Sequence, residues 1–191
     1  TDSEGASATQ AYTQVIALGP VATGGTITTA GGYKYHAFTS SGTFQVQNAA
    51  KANCQFLVVA GGGGGGGCGA QNSATGGGGA GGAIFSALTT ISVASHTITI
   101  GAGGAGGPAV NAGGNRGVPG TNTVAFSNTA IGGGAAPNSN DTYNGSDRNG
   151  GSGAGGSGNP NSASGYPGAA TSGQGNAGGQ SQYTASTVYP G

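Results

Sequence analysis

The amino-acid sequence predicts an all-β protein: a small antiparallel β-sandwich with long, ordered glycine-rich loops and a glycine-rich tail. Three observations lead to this prediction. Short runs of β-type residues recur between positions 26 and 126, and glycine supplies 47 of the 191 residues. No glycine-free window places apolar residues at i, i+3, i+4 and i+7, as an amphipathic helix requires.

The predicted strands follow one another along the first two thirds of the chain. The run at 43–47 alternates, with Phe44 and Val46 on one face and polar side chains on the other. The run at 55–60 is continuously apolar instead, which is typical of a strand buried on both faces. The full set of predicted strands is 26–29, 33–38, 43–47, 55–60, 83–85, 95–100 and 123–126.

The chain divides into three parts by composition. Residues 1–22 form an N-terminal arm with an apolar run at 12–18, which is either a strand of the domain or an arm that pairs with another copy. Residues 23–134 form a β-rich, glycine-rich domain. Residues 135–191 form a tail rich in glycine, serine and asparagine, in which no apolar period survives.

The glycine runs raise the question of order. Leu, Ile, Val and Phe together make up only about 13% of the chain, a composition typical of disorder. Ordering such a chain costs about 1–2 kcal/mol per residue, which backbone hydrogen bonding and close main-chain packing must offset. Glycine near every third position allows polyproline-II-like segments of three residues per turn; irregular loops held by the strands are the alternative.

Charge excludes several classes of partner and chemistry. Charged residues are 4% of the chain and the formal net charge is zero, so no basic surface exists for nucleic acid. No apolar stretch is long enough to span a membrane. The titratable residues are too few and scattered for a catalytic or metal site, so we expect no enzyme activity and no cofactor. His36 and His96 are interpreted as surface residues.

Two stretches match the dinucleotide-binding pattern G-x-G-x-x-G. They are Gly61/Gly63/Gly66 and Gly101/Gly103/Gly106, and neither is followed by a helix or by the acid that such a site needs. We therefore expect no nucleotide site.

The two cysteines lie 14 residues apart in the sequence. In an extracellular protein this spacing predicts one disulfide between Cys54 and Cys68, with a pair of buried thiols as the alternative.

Several other motifs are weaker. Residues 140–145 resemble the first half of a calcium loop but lack the closing glutamate, so a polar turn is expected. Asn140 and Asn144 begin candidate glycosylation sequons. The Thr-x-Thr pairs at 26/28, 97/99 and 121/123 are too scattered for a flat ice-binding face, which leaves ice binding as a remote alternative.

Four tyrosines stand out in the apolar-poor tail: Tyr143, Tyr166, Tyr183 and Tyr189. Tyrosines held on rigid loops suit recognition of a sugar or protein, or contact with another subunit.

The order of strands and glycine runs resembles a known family. Residues 24–44, then the strand at 56–60 with its glycine run, then 78–82 and 97–107 resemble the glycine-rich domain of bacteriophage tail-fibre and adhesin proteins and of bacterial secreted surface proteins. The resemblance covers about residues 24–134 and, more loosely, the tail. It implies an extracellular or virion-surface structural protein, often oligomeric, without catalytic residues.

Together these observations predict a self-assembling fibre component of phage tail-fibre or adhesin type. The alternative is the repeating subunit of a secreted filament, in which residues 1–22 add a strand to a neighbour. Expected partners are copies of the chain itself and a cell-surface glycan or protein.

Overall fold

A computed structural model describes residues 21–48, 53–68, 74–109, 115–139, 145–158, 165–184 and 187–189. It contains eleven short strands, one 3₁₀ turn at Ser146–Arg148 and, in these ranges, no α-helix. The strands are β1 Ala22–Thr23, β2 Thr26–Ala30, β3 Tyr33–Ala37, β4 Gly42–Val46, β5 Asn53–Val59, β6 Ala83–Thr90, β7 Ser95–Ile98, β8 Thr123–Ala125, β9 Asn128–Ala130, β10 Gln182–Thr184 and β11 Thr187–Tyr189. All strand ladders are antiparallel, which confirms the predicted fold class.

The strands form two layers around a small core. One layer is the sheet β1-β4-β7, which an isolated bridge between Thr99 and Val124 joins to the hairpin β8–β9. The hairpins β2–β3 and β5–β6 are two separate sheets that each pack against first-layer residues, and together they are called the second layer. Phe44, Val46 and Ile98 of the first layer pack with Val58 of the second. The alternation predicted for 43–47 is confirmed, because Phe44 and Val46 are both buried.

One strand differs from its prediction. The run at 55–60 is buried on one face only, because Val58 and Ala60 point into the core whereas Leu57 and Val59 are 64% and 50% exposed. Its partner strand β6 likewise leaves Phe85 exposed, opposite Leu57 in the ladder. The prediction of burial on both faces was wrong: a continuous apolar run does not reveal whether a second layer covers it.

Beyond the sandwich the glycine-rich stretches pack side by side into a bundle. Eight segments contribute: 60–68, 74–82, 101–109, 115–122, 131–138, 148–158, 165–171 and 174–181. The first continues β5 directly and the third follows β7. The last four come from the stretch 131–181, so the bundle includes most of what composition sets apart as a tail.

Hydrogen bonds between the segments repeat every three residues. In the first segment every third backbone amide donates to a carbonyl of the fourth segment, with N···O distances of 2.8–3.1 Å. The residue number of the acceptor falls as that of the donor rises, so the two segments are antiparallel. A period of three is that of the polyproline II helix, which decides between the two interpretations of the glycine runs. The donor–acceptor pairs of this row are Gly61–Thr121, Gly64–Val118 and Gly67–Asn115.

Glycine is required where two segments approach closely. A Cβ atom at Gly64 would lie 1.9 Å from the carbonyl oxygen of Ala105, and one at Gly66 would lie 1.9 Å from that of Pro137. Gly65, between them, points into open space. The residues of a segment thus fall into three rows, and only the rows that face a neighbour exclude a side chain.

The number of rows that exclude a side chain depends on where the segment lies in the bundle. In the fourth segment Gly117 and Gly120 occupy the one row that meets the first segment's backbone. In the fifth segment a Cβ atom added at any of the residues 132–134 would lie within 2.0 Å of neighbouring backbone, and the alanines that follow, Ala135 and Ala136, are fully buried. The glycine content of a segment therefore reflects how many neighbours surround it.

We predict that Gly64→Ala and Gly65→Ala differ sharply in stability. Gly64→Ala forces the first and third segments apart and should cost at least about 3 kcal/mol, the upper range for overpacked sites. Gly65→Ala should change stability by less than about 1 kcal/mol, because its Cβ meets open space and alanine reduces the entropy of the unfolded chain. Chemical unfolding followed by circular dichroism measures both. Equal effects would contradict the assignment of rows.

Candidate interaction surfaces

A groove of about 520 Å³ separates the two hairpins of the second layer. One wall is β3, the other is β5, and successive residues of both strands line it. The other layer supplies the floor, with Phe44, Ile98 and Ala125 among its residues. Most of this lining is apolar, and Lys34 brings a charge.

An aromatic cluster supports the floor. The ring of Phe126 lies 5.6 Å from Phe44, 5.2 Å from Phe56 and 5.5 Å from His96, measured between centroids. Phe126 and Ser127 form the tight β8–β9 turn, with φ of 49° and 62°, a conformation that costs a bulky residue energy. Packing of the Phe126 ring on three neighbours offsets that cost.

The two histidines are part of this packing. His36 Nδ1 lies 2.8 Å from the Gly24 carbonyl oxygen, and its ring meets Phe44 edge-on at 5.1 Å. His96 Nε2 lies 2.9 Å from the Ser92 carbonyl oxygen. Both are half-buried, so their interpretation as plain surface residues is corrected. An alternating sequence pattern does not reveal that a histidine ring will pack against aromatic rings of other strands.

The end of the bundle farthest from the sandwich is the second candidate surface. Segments are hydrogen-bonded near this end through pairs such as Gly67 with Asn115 and Ala74 with Gly158. By connectivity, the stretches 69–73, 110–114 and 159–164 join segments whose described ends lie here. The described residues that flank these stretches therefore lie together at one end of the bundle.

Charged groups near this end hold the bundle together. Arg148 is fully buried, and its Nη1 donates to the Tyr166 carbonyl at 2.6 Å. Arg116 and Asp147 form an ion pair at 3.2 Å and are about one third exposed. These residues were not among the predicted site residues, because nothing in the local sequence distinguishes a buried arginine from a solvated one.

The four candidate tyrosines do not lie together in one site. Tyr166 is 53% exposed beside the end of the bundle. Tyr183 and Tyr189 belong to the β10–β11 hairpin, where Tyr183 pairs with Val188 and Tyr189 with Gln182. Tyr143, with the sequon residues Asn140 and Asn144 and most of the calcium-like loop, lies outside the described residues.

The predicted disulfide is not present. Neither Cys54 nor Cys68 is disulfide-bonded. Cys54 lies near the start of β5 and Cys68 at the opposite end of the segment that continues it, whereas a disulfide requires Cα atoms within about 7 Å. The 14-residue spacing favours a bridge only if the chain turns between the two, and here it stays extended.

The glycine motifs and threonine pairs have structural roles. The amides of Gly61, Gly63 and Gly66 donate to other segments, so they do not cradle a phosphate. Thr121 and Thr123 accept hydrogen bonds through Oγ1 from the amides of Ala102 and Gly101 at 2.7 and 2.9 Å, where sandwich and bundle join.

Within the described ranges, no three His, Cys, Asp or Glu side chains cluster as metal ligands would. In the same ranges no helix has the length and apolarity needed to cross a membrane.

We predict that Cys54 alkylates slowly in the native protein. Burial raises the pKa of the Cys54 thiol, so less of the reactive thiolate is present near neutral pH than for an ordinary cysteine. In a Cys68→Ser background, iodoacetamide should react more slowly with native than with urea-unfolded protein. The difference should narrow as pH rises through the raised pKa. A native rate equal to the unfolded rate at pH 7 would contradict the buried position.

We predict that Arg148→Ala destabilises the protein by about 2–3 kcal/mol, because it leaves the Tyr166 carbonyl without its charged donor. Arg116→Ala is the matched control and should cost at most about 1 kcal/mol, as expected for a partly exposed ion pair. Thermal unfolding of both variants measures the difference. If the control loses as much stability as Arg148→Ala, the buried arginine is not the stronger anchor.

Comparison with known proteins gives one match. Residues 39–191 match the family model described as a glycine-rich domain. No curated protein and no solved structure matches the chain. The match begins after β3 and includes the whole of 135–191, in agreement with the bundle that those residues build. Because the match covers most of the sequence, the chain belongs to the glycine-rich domain family.

Proposed function

We propose that this chain is a non-enzymatic extracellular structural module that assembles with copies of itself, as a fibre component of phage tail-fibre or adhesin type. The observation that carries the proposal is the bundle, whose order comes from main-chain hydrogen bonds with a three-residue period. Such a scaffold needs few large side chains and leaves the connections between segments free to vary.

The geometry of the far end supports an adhesive role. The connections 69–73, 110–114 and 159–164 join segments that end together, away from the sandwich. Binding residues are often placed on loops that a rigid scaffold positions. In this proposal the far end contacts a glycan or protein at a cell surface, and the module sits on the outside of a cell or virion.

Tyr166 is the best-defined contact residue at that end. Its side chain is exposed, while its carbonyl accepts from the buried Arg148 guanidinium. The neighbouring Gly165 amide donates to Ser181 Oγ at 2.8 Å. A fixed backbone under an exposed aromatic ring lowers the entropy lost on binding.

The contacts of the titratable side chains support a non-enzymatic role. Arg116 is paired with Asp147, the Arg148 side chain bonds a main-chain carbonyl, and His36 lies against the Gly24 carbonyl. These side chains act in packing and structure.

A second candidate is the repeating subunit of a secreted filament. The groove between β3 and β5 favours it, because strand edges and an exposed apolar rim are features that join chains. Both candidates require self-assembly and differ in whether the assembly is continuous.

We predict that Tyr166→Ala weakens binding to target cells about tenfold if the module is an adhesin, the effect of losing about 1.4 kcal/mol of contact energy. Tyr33→Ala is the matched control: Tyr33 is 70% exposed at the β2–β3 turn, away from the bundle. Flow cytometry with labelled protein measures both variants. Equal loss in both would argue against contact through the far end.

Electron microscopy and analytical ultracentrifugation of the purified chain test the proposal as a whole. Discrete oligomers that bind cells support the adhesin, and continuous helical polymers support the filament subunit. A chain that stays monomeric up to about 100 μM, well above ordinary assembly affinities, and binds no cells would overturn both candidates.

A further inference from the structure

The second layer of the sandwich is interrupted. Its two hairpins face each other across the groove, while the first layer continues beneath as the groove floor. β3 pairs with β2 and β5 pairs with β6, and among the described residues neither β3 nor β5 forms a ladder on its other side. Two strand edges therefore border one apolar groove.

Unpaired edges of this kind bind extended chain. Main-chain groups on an edge strand are templates for an added strand, and adjoining side-chain pockets provide specificity. A strand inserted here would join β2-β3 and β5-β6 into one continuous sheet over Phe44, Ile98 and Ala125. The shape of the groove thus favours a peptide strand.

We propose that residues 12–18 of a second copy of this chain occupy the groove as the missing strand. This proposal rests on the self-assembly proposed above and identifies the contact that would produce it. The donor segment is Tyr-Thr-Gln-Val-Ile-Ala-Leu, and the acceptor is the groove between β3 and β5.

The donor matches the acceptor in length and polarity. Residues 12–18 are seven residues, as is β5 at Asn53–Val59. As a strand, the segment would carry apolar side chains on both faces, with Ile16 and Leu18 on one face and Val15 and Ala17 on the other. Such a strand suits a site that is apolar both below, at the groove floor, and above, at the rim.

The rim supplies that second apolar contact. Tyr35 on β3 and Leu57 and Val59 on β5 line the groove and are 52%, 64% and 50% exposed. Phe85 extends the same face onto β6 and is 66% exposed. An inserted strand would cover apolar surface that the single chain leaves in water.

The start of the described chain favours a second copy over the same chain. The Val21 carbonyl accepts from the Gln47 amide at 2.9 Å, and Ala22 pairs with Val46 in the first layer. Only Gly19 and Pro20 separate the donor segment from this first-layer position, so a path to the groove of the same chain has two residues in which to change both layer and direction. Pro20 fixes its own φ and disfavours a helical conformation at the preceding residue, and this limited freedom to turn favours insertion into a second copy.

The first test alters the donor strand. Ile16→Pro removes a ladder amide and is incompatible with a central strand. We expect the wild-type chain to sediment as oligomers at micromolar concentration and Ile16→Pro to sediment as a monomer that still unfolds in one cooperative thermal transition, at a lower temperature because the stabilisation from assembly is lost. Gln10→Pro, in the same arm but outside the donor segment, should leave the oligomers intact.

The second test locates the acceptor, using Cys54, which lines the groove. A chain with Ile16→Pro and Cys68→Ser is alkylated with iodoacetamide in the presence of a synthetic peptide of residues 12–18. We expect this peptide to slow Cys54 alkylation at least fivefold at saturation. The same peptide with Ile16→Pro should leave the rate unchanged.

The outcomes separate this inference from the proposed function. Oligomers that persist in Ile16→Pro, or a peptide that leaves Cys54 equally reactive, would overturn the donor-strand contact while self-assembly stands. A wild-type chain that is monomeric would overturn self-assembly itself. If that monomer also protects Cys54 compared with Ile16→Pro, the arm occupies its own groove and the assignment to a second copy is wrong.

Discussion

Close approach of main chain to main chain is the constraint on which the structure depends. Each glycine-rich segment repeats every three residues, and its amides bond carbonyls of neighbouring segments. These bonds form only where the facing row of residues has no Cβ atom, as at Gly64 and Gly66. The requirement sets the number of glycines in each segment, and it replaces much of the apolar core that a chain of this length usually buries.

The small sandwich is the base from which the bundle extends. β5 runs directly into the first segment, so strand pairing and segment packing share one register. Thr121 and Thr123 accept bonds from the amides of the third segment where the two parts meet. The aromatic cluster around Phe126 holds this base, and the same cluster lies under the groove. The proposed interaction surfaces thus lie at opposite parts of one continuous framework.

The sequence predicted the strands of the sandwich well because their alternation and turn residues are local signals. β2, β3, β4 and β7 agree with their predicted positions to within about two residues. The hairpin partner β9 and the strands β10 and β11 were not predicted, because each is three residues long. The candidate sites were less predictable. The structure has no Cys54–Cys68 disulfide, and no local signal in the sequence indicates that Arg148 is buried. The groove could not be predicted because it lies between two hairpins that do not pair with each other.

The sequence by itself determined that this chain is all-β, that its glycine runs are compatible with a three-residue period, and that it belongs among glycine-rich domains. Each of these follows from local composition and spacing. Only the tertiary structure decided which glycines face a neighbour, which apolar face of β5 is covered, and whether Cys54 and Cys68 meet. Those outcomes depend on which distant segments lie side by side. A stretch of sequence that is mostly glycine carries little information about which segments it will pack against.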